Sequence, residues 1–212
     1  MFQQVDKFLK VLVTVLVVTI LNGCNSPDLK PIPKRGTILA FGDSLTVGVG
    51  TTKINSYPSV LAELTGLNVI NEGVSGETTS GGLARLPETL DRTMPDLLIL
   101  IEGGNDILRN LRHTNIKANL KAMIELTQSR GIPVVLIGIP EKSLLSNSAP
   151  FYEELAEQYE LVFDDSLIGG LQRSPSMKSD LVHFNREGYR RMAESIYELL
   201  ESAGALSHGL LP

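Results

Sequence analysis

A serine hydroxyl is a poor nucleophile until a base takes its proton, and histidine is the side chain suited to that near neutral pH. This 212-residue chain carries Ser44 in the run Gly42-Asp43-Ser44-Leu45-Thr46 and, near its far end, His183 in Asp180-Leu181-Val182-His183. An Asp three residues before a His can accept the second ring proton and so fix both tautomer and orientation. A developing oxyanion needs preorganised donors. The backbone N–H groups of Ser44 and Gly76 and the side-chain amide of Asn105 are the candidates. Together these residue types could carry nucleophilic acyl transfer, provided that the fold brings them to one place.

Short apolar runs at 37–41, 67–70, 97–101, 133–138 and 161–163 are bounded by Gly, Asp, Asn or Pro, as buried parallel strands are. Helix-period segments lie between them. Ile116, Leu120, Met123, Ile124 and Thr127 share one face, stopped by Gly131 and Pro133. A last helix buries Tyr189, Met192, Ala193, Ile196, Leu199 and Leu200, with Asn185 as cap and Gly204 as stop. Another covers 82–94, with Pro87 in its first turn or kinking it. Alternating strands and helices predict a doubly wound α/β sheet, whose ligands bind at the carboxyl ends of the strands. The first three strands run into Gly42–Thr46, Asn71–Thr78 and Glu102–Asp106, and Asp180–His183 precedes the final helix. All four polar segments are thereby expected at one edge.

Each residue also has a plainer reading. Ser44 alone would be a helix N-cap after a strand, Asn105 a turn residue, and His183 a surface histidine. His113, among Arg109, Arg112 and Asn115, reads as a solvated helix end, and His208 belongs to a patternless tail at 205–212. Asp43 and Asp106 could pass for a glycosidase carboxylate pair. They are read instead as satisfying loop N–H groups by short-range hydrogen bonds. Glu102 is a candidate partner for Arg85. No G-x-S-x-G elbow, dinucleotide loop, Walker A sequence or His pair with metal spacing occurs. A single cysteine excludes an internal disulfide and a Cys-cluster zinc site. A net charge of -5 without a basic run argues against nucleic acid as the main partner.

Gly42-Asp43-Ser44-Leu45, Gly76 within Val74–Thr78, Gly103-Gly104-Asn105-Asp106 and Asp180-x-x-His183 resemble the four blocks of the SGNH (GDSL) hydrolase family. The stretch Gly82-Leu83-Ala84-Arg85-Leu86-Pro87 followed by Glu102–Asp106 is similar to its thioesterase I/lysophospholipase L1 (arylesterase) branch. The likeness spans 37–203. It implies a flavodoxin-like, three-layer α/β/α sandwich with a mostly parallel five-stranded sheet over 37–204. It also implies Ser44 as nucleophile, His183 as general base then acid, Asp180 as its orienting partner, and Ser44, Gly76 and Asn105 as the oxyanion hole. No metal or organic cofactor is implied. The expected activity is a serine esterase working through an acyl-enzyme on small carboxylic esters: lysophospholipids, short acyl or aryl esters, and thioesters in a test tube. Two alternatives stand beside it: an O-acetyl esterase of envelope or exopolysaccharide sugars, and a non-catalytic envelope lipoprotein. Phe184 replaces the Pro that many members of this branch carry, a change expected to reshape the pocket rim. The connection 139–150 borders the acyl site in this branch, and its Leu144 and Leu145 favour an apolar groove.

Residues Val11 to Leu21 read VLVTVLVVTIL behind Lys7 and Lys10, too short for a helix spanning a bilayer and suited to a secretory signal. Leu21-Asn22-Gly23-Cys24 resembles the lipobox of bacterial lipoprotein precursors. The resemblance implies a signal peptide at 1–23, lipid attachment at Cys24 and a membrane-anchored protein of the bacterial cell envelope. Residues 24–36, with Pro27, Pro31 and Pro33, are expected to form a semi-extended tether. Oligomeric state is not encoded in any pattern found.

Overall fold

The computed structural model describes residues 28–142 and 147–206. The run Val11–Leu21, Cys24, Leu144, Leu145, His208 and the end of the tail lie outside the described residues.

Five strands form the sheet: β1 (Thr37–Gly42), β2 (Asn68–Gly73), β3 (Leu97–Ile101), β4 (Val134–Ile137) and β5 (Val162–Asp164). Their order is β2-β1-β3-β4-β5 and every pairing is parallel, the flavodoxin-like arrangement expected. β3 reads LLILI and is buried throughout, because helices cover both faces of a parallel sheet. β2 is an edge strand and correspondingly more polar. The helices are α1 (Ser44–Val47), α2 (Tyr57–Thr65), α3 (Thr79–Thr93), α4 (Gly104–Leu108), α5 (His113–Ser129), α6 (Pro150–Gln158), α7 (Leu167–Gln172) and α8 (Arg186–Ser202).

One helix departs from the sequence expectation and another follows it. α3 starts three residues earlier than periodicity suggested, so Pro87 lies in its interior and not in its first turn. The early start is held from outside: Asp106, in the first turn of α4, accepts from the Thr79 amide (2.8 Å) and hydroxyl (2.7 Å). A carboxylate there satisfies an orphan N–H and meets the positive end of the helix dipole. α8 follows expectation, with Asn185 Oδ1 accepting from the Gly188 amide at 3.0 Å. It runs on to Ser202, Ala203 closes it, and Gly204 adopts φ +79° just beyond.

The expected tether is not free. From residue 28 the chain is laid along the domain, with Leu29 N–H donating to Ala203 O (2.7 Å) and Ile32 N–H to Ala205 O (2.8 Å). Ile32 is buried in the core, because its side chain finds an apolar seat that a freely solvated linker would lack.

Candidate active site

β1, β2 and β3 all end at the same edge of the sheet, and the loops that follow bring the polar segments together there. Ser44 is the first residue of α1. The N-cap is Asp43, whose Oδ1 accepts from the Leu45 amide at 3.0 Å. The Ser44 hydroxyl is thus released from capping and lies against His183 Nε2 at 3.0 Å. His183 Nδ1 lies 2.8 Å from Asp180 Oδ2. With the proton on Nδ1, that nitrogen donates to Asp180 and Nε2 accepts from Ser44, the tautomer a general base requires.

Asp180 also accepts from the backbone amides of Val182 and His183 through Oδ1, each at 2.8 Å. Those amides first, and the His183 ring after them, hold its carboxyl down to about 2. The Asp-x-x-His spacing therefore folds into a self-contained turn that keeps its own carboxylate charged.

Asn105 sits at the start of α4 and donates through Nδ2 to Asp43 Oδ2 at 3.3 Å. A side-chain amide has two N–H donors, so one stays free for a ligand. Among the described residues the amides of Ser44 and Gly76 have no acceptor either. Ser44 and Asn105 share the wall of a cavity of about 200 Å³, together with His183 and the apolar Leu45, Ile107 and Ile139. Gly76, at φ +78°, stands outside that lining. It is tied to the Asn105 helix by Arg109, whose Nη2 donates to Gly76 O at 2.9 Å. Arg109 was not singled out from sequence. Its position four residues after Asn105, the spacing of one helical face, was the available signal.

Behind the loops lies a buried acidic layer. Burial pushes Asp43 up to about 6, against the opposing pull of the Leu45 amide and His183. Burial, and then Asp43 and Glu77, push Glu102 well above the usual carboxylate range. Asp43 meets a loop N–H at short range, as expected, whereas the Asp106 bonds to Thr79 are long-range. Arg85 does not take Glu102 as its ion-pair partner. Its Nε lies 2.9 Å from both Glu77 carboxylate oxygens, it reaches Glu72, and its guanidinium stacks 3.8 Å over the Phe41 ring. Glu77 is closer because it opens the turn into α3, the helix that carries Arg85.

Phe184 does not touch the rim. It is fully buried, packed edge-on against Tyr189 at 5.7 Å, and Tyr189 donates to Val49 O at 2.8 Å. The ring anchors the histidine loop to the loop after Ser44, so its place is beneath the site. His113 is a half-exposed helix start beside Glu141 and Phe151, as its neighbours suggested. No group of three His, Cys, Asp or Glu able to hold a metal ion occurs among the described residues.

A parallel sheet with a Ser–His–Asp relay at its carboxyl edge and an amide-bearing Asn beside it defines a class: the α/β serine hydrolases without an elbow motif. Residues 40–191 match the GDSL-like lipase/acylhydrolase family, and the chain belongs to it. The chain is 33% identical to an arylesterase of Vibrio mimicus over 174 residues, covering 77% of this chain and 87% of that one. It is 30% identical to the esterase TesA of Pseudomonas aeruginosa over 181 residues, 78% and 88% of the two chains. The crystal structure of TesA superposes with a TM-score of 0.70 at 26% identity, over 79% of this chain and 99% of that one.

Proposed function

We propose that the chain is a serine esterase that hydrolyses small carboxylic esters through an acyl-enzyme, with Ser44 as nucleophile. One observation carries the reading: Ser44 Oγ stands 3.0 Å from His183 Nε2 in the wall of a largely apolar cavity. His183 Nε2 takes the hydroxyl proton as Ser44 Oγ bonds to the ester carbon, and the carbonyl oxygen becomes an oxyanion. The Ser44 and Gly76 amides and the free N–H of Asn105 supply donors for that charge. His183 passes the proton to the departing alcohol and the ester C–O bond breaks. Water, deprotonated by the same nitrogen, then releases the acid and restores Ser44. Asp180, charged far below neutral pH, stabilises the imidazolium in both halves.

The cavity, about 200 Å³, is small beside the roughly 300–1,000 Å³ of pockets for drug-sized ligands, which favours a short acyl group or one aryl ring. An acetyl group on an envelope sugar would fit the same space, so the O-acetyl esterase reading remains the competitor. Hydrolysis of p-nitrophenyl esters across acyl lengths tests both. Wild type should outpace Ser44→Ala by orders of magnitude, and equal rates would remove the mechanism. A sharp preference for acetyl, with activity on acetylated sugars, would favour the competitor.

The lipobox-like Leu21–Cys24 and the apolar run before it support lipid attachment at Cys24 and a place on the bacterial cell envelope. Incorporation of a fatty-acid analogue that is abolished in Cys24→Ser is the expected result.

A further inference from the structure

The parallel sheet gives the domain two poles. The catalytic loops follow the carboxyl ends of β1, β2 and β3, and α8 starts beside His183 at that same pole. α8 then runs 17 residues, about 25 Å at 1.5 Å per residue, to the opposite pole. There Ala203 and Ala205 take the hydrogen bonds of Leu29 and Ile32. The neighbours of this strap confirm the placement. Asp96, at the entrance to β3, binds the Thr37 amide at 2.8 Å, and residues 28–33 share a cavity with Asp96, Gly131 and Pro133, at the entrances to β3 and β4.

Between Cys24 and Leu29 lie five residue steps, at most about 17 Å of fully extended chain. That falls short of the axial distance back to the catalytic pole. The strap also carries charge: Lys30, Lys34 and Arg35 are exposed, against one acid, Asp28, in a chain whose net charge is -5. Clustered cations next to an anchoring point are drawn to anionic headgroups.

We propose that the basic strap at 28–36 is the face laid on an anionic lipid surface, which turns the catalytic mouth to the aqueous side. This rests on the reading of Cys24 as the lipid attachment point. It narrows the substrate: esters arrive from solution or from structures facing the mouth, not from the bilayer that holds the anchor. A lysophospholipid in that bilayer would lie at the wrong pole, and the short tether forbids the molecule from turning over to reach it.

Cys24 is the chain's single cysteine, so once it is acylated an introduced thiol is the only one free for a fluorophore. Ser202→Cys labels the strap pole, and Leu181→Cys, at an 89% exposed position, labels the mouth. Both full-length lipidated proteins are placed on phosphatidylglycerol–phosphatidylcholine vesicles containing a headgroup quencher. The Ser202 probe should be quenched, while the Leu181 probe keeps the intensity it has without vesicles. Equal quenching, or stronger quenching at Leu181, overturns the orientation. Changing Lys30, Lys34 and Arg35 together to Glu should weaken quenching at Ser202, and no change would remove the basic face from the account. Fatty-acid incorporation, measured on the same preparations, separates the two failures. Without incorporation the anchor reading falls and the inference with it, whereas incorporation with a quenched mouth sinks the orientation alone.

Discussion

Arg109 Nη2 lies 2.9 Å from the carbonyl oxygen of Gly76, so one guanidinium joins the loop after β2 to the turn that ends the Asn105 helix. Gly76 and Asn105, the donors proposed for the oxyanion, are therefore set relative to each other by a side chain that lies outside the cavity wall. Lys142 also braces this turn, donating to Leu108 O (2.9 Å) and Asn110 Oδ1 (2.7 Å).

Arg109→Ala should lower kcat about tenfold with little change in KM, since deleting a donor outright costs about 10²–10³ and this change only loosens one. Arg109→Lys should recover part of the loss, because an ammonium can still reach a carbonyl. Unchanged kcat in the alanine variant would remove Arg109 from the positioning of Gly76.

Gly50 sits at φ +97°, where an added Cβ would stand 2.1 Å from Ser179 Oγ and 2.6 Å from Phe184 O. The loop after Ser44 and the loop of His183 touch there without room for a methyl group. Gly50→Ala is expected to cost about 1–3 kcal/mol in backbone strain and to cut kcat by pushing His183 away from Ser44. A thermal melt paired with ester turnover reads both effects.

Asp43 gives a pH signature. Its carboxyl is pushed from 3.8 up to about 6 by burial, so the native state holds the proton more tightly than the unfolded chain. Stability contributed by this group falls as pH rises from 3.8 to about 6, and is regained on acidification through the same window. Asp43→Asn should flatten that part of the Tm-against-pH profile. It should also lower kcat about tenfold at pH 8, because Asn105 loses a charged acceptor. An unchanged slope would show that Asp43 does not titrate in this range.

Asp180 behaves in the opposite sense. Held down to about 2, it contributes stability that is present above 3.8 and lost as pH falls towards 2. Asp180→Asn removes the acceptor that selects the His183 tautomer, and kcat should drop by about 10²–10⁴ with KM nearly unchanged. A loss of less than tenfold would mean that water orients the largely buried histidine as well as the carboxylate does.

Phe184→Ala should cost about 3–5 kcal/mol by emptying a fully buried site against Tyr189. A small shift in Tm would contradict its role as the anchor of the histidine loop.

Much of this protein can be read along the chain. Strand-length apolar runs bounded by Gly and Asp specify the sheet, because a strand buried on both faces has no alternative use for five consecutive Leu and Ile residues. The reactive types were visible too, since Asp-x-x-His closes a turn within four residues, and Ser44 and Asn105 each fall in the first turn of a helix that follows a strand or its loop. Local geometry of that kind needs no knowledge of distant residues. What the tertiary structure decided depends on contacts across tens of residues. It set the 3.0 Å between Ser44 and His183, residues 139 positions apart. It gave Arg85 to Glu77, sent Asp106 to cap α3, buried Phe184 beneath the site and docked the residue 28–36 strap at the far pole. Long side chains reach whatever the fold brings near, and spacing along the chain carries no record of which neighbour that will be.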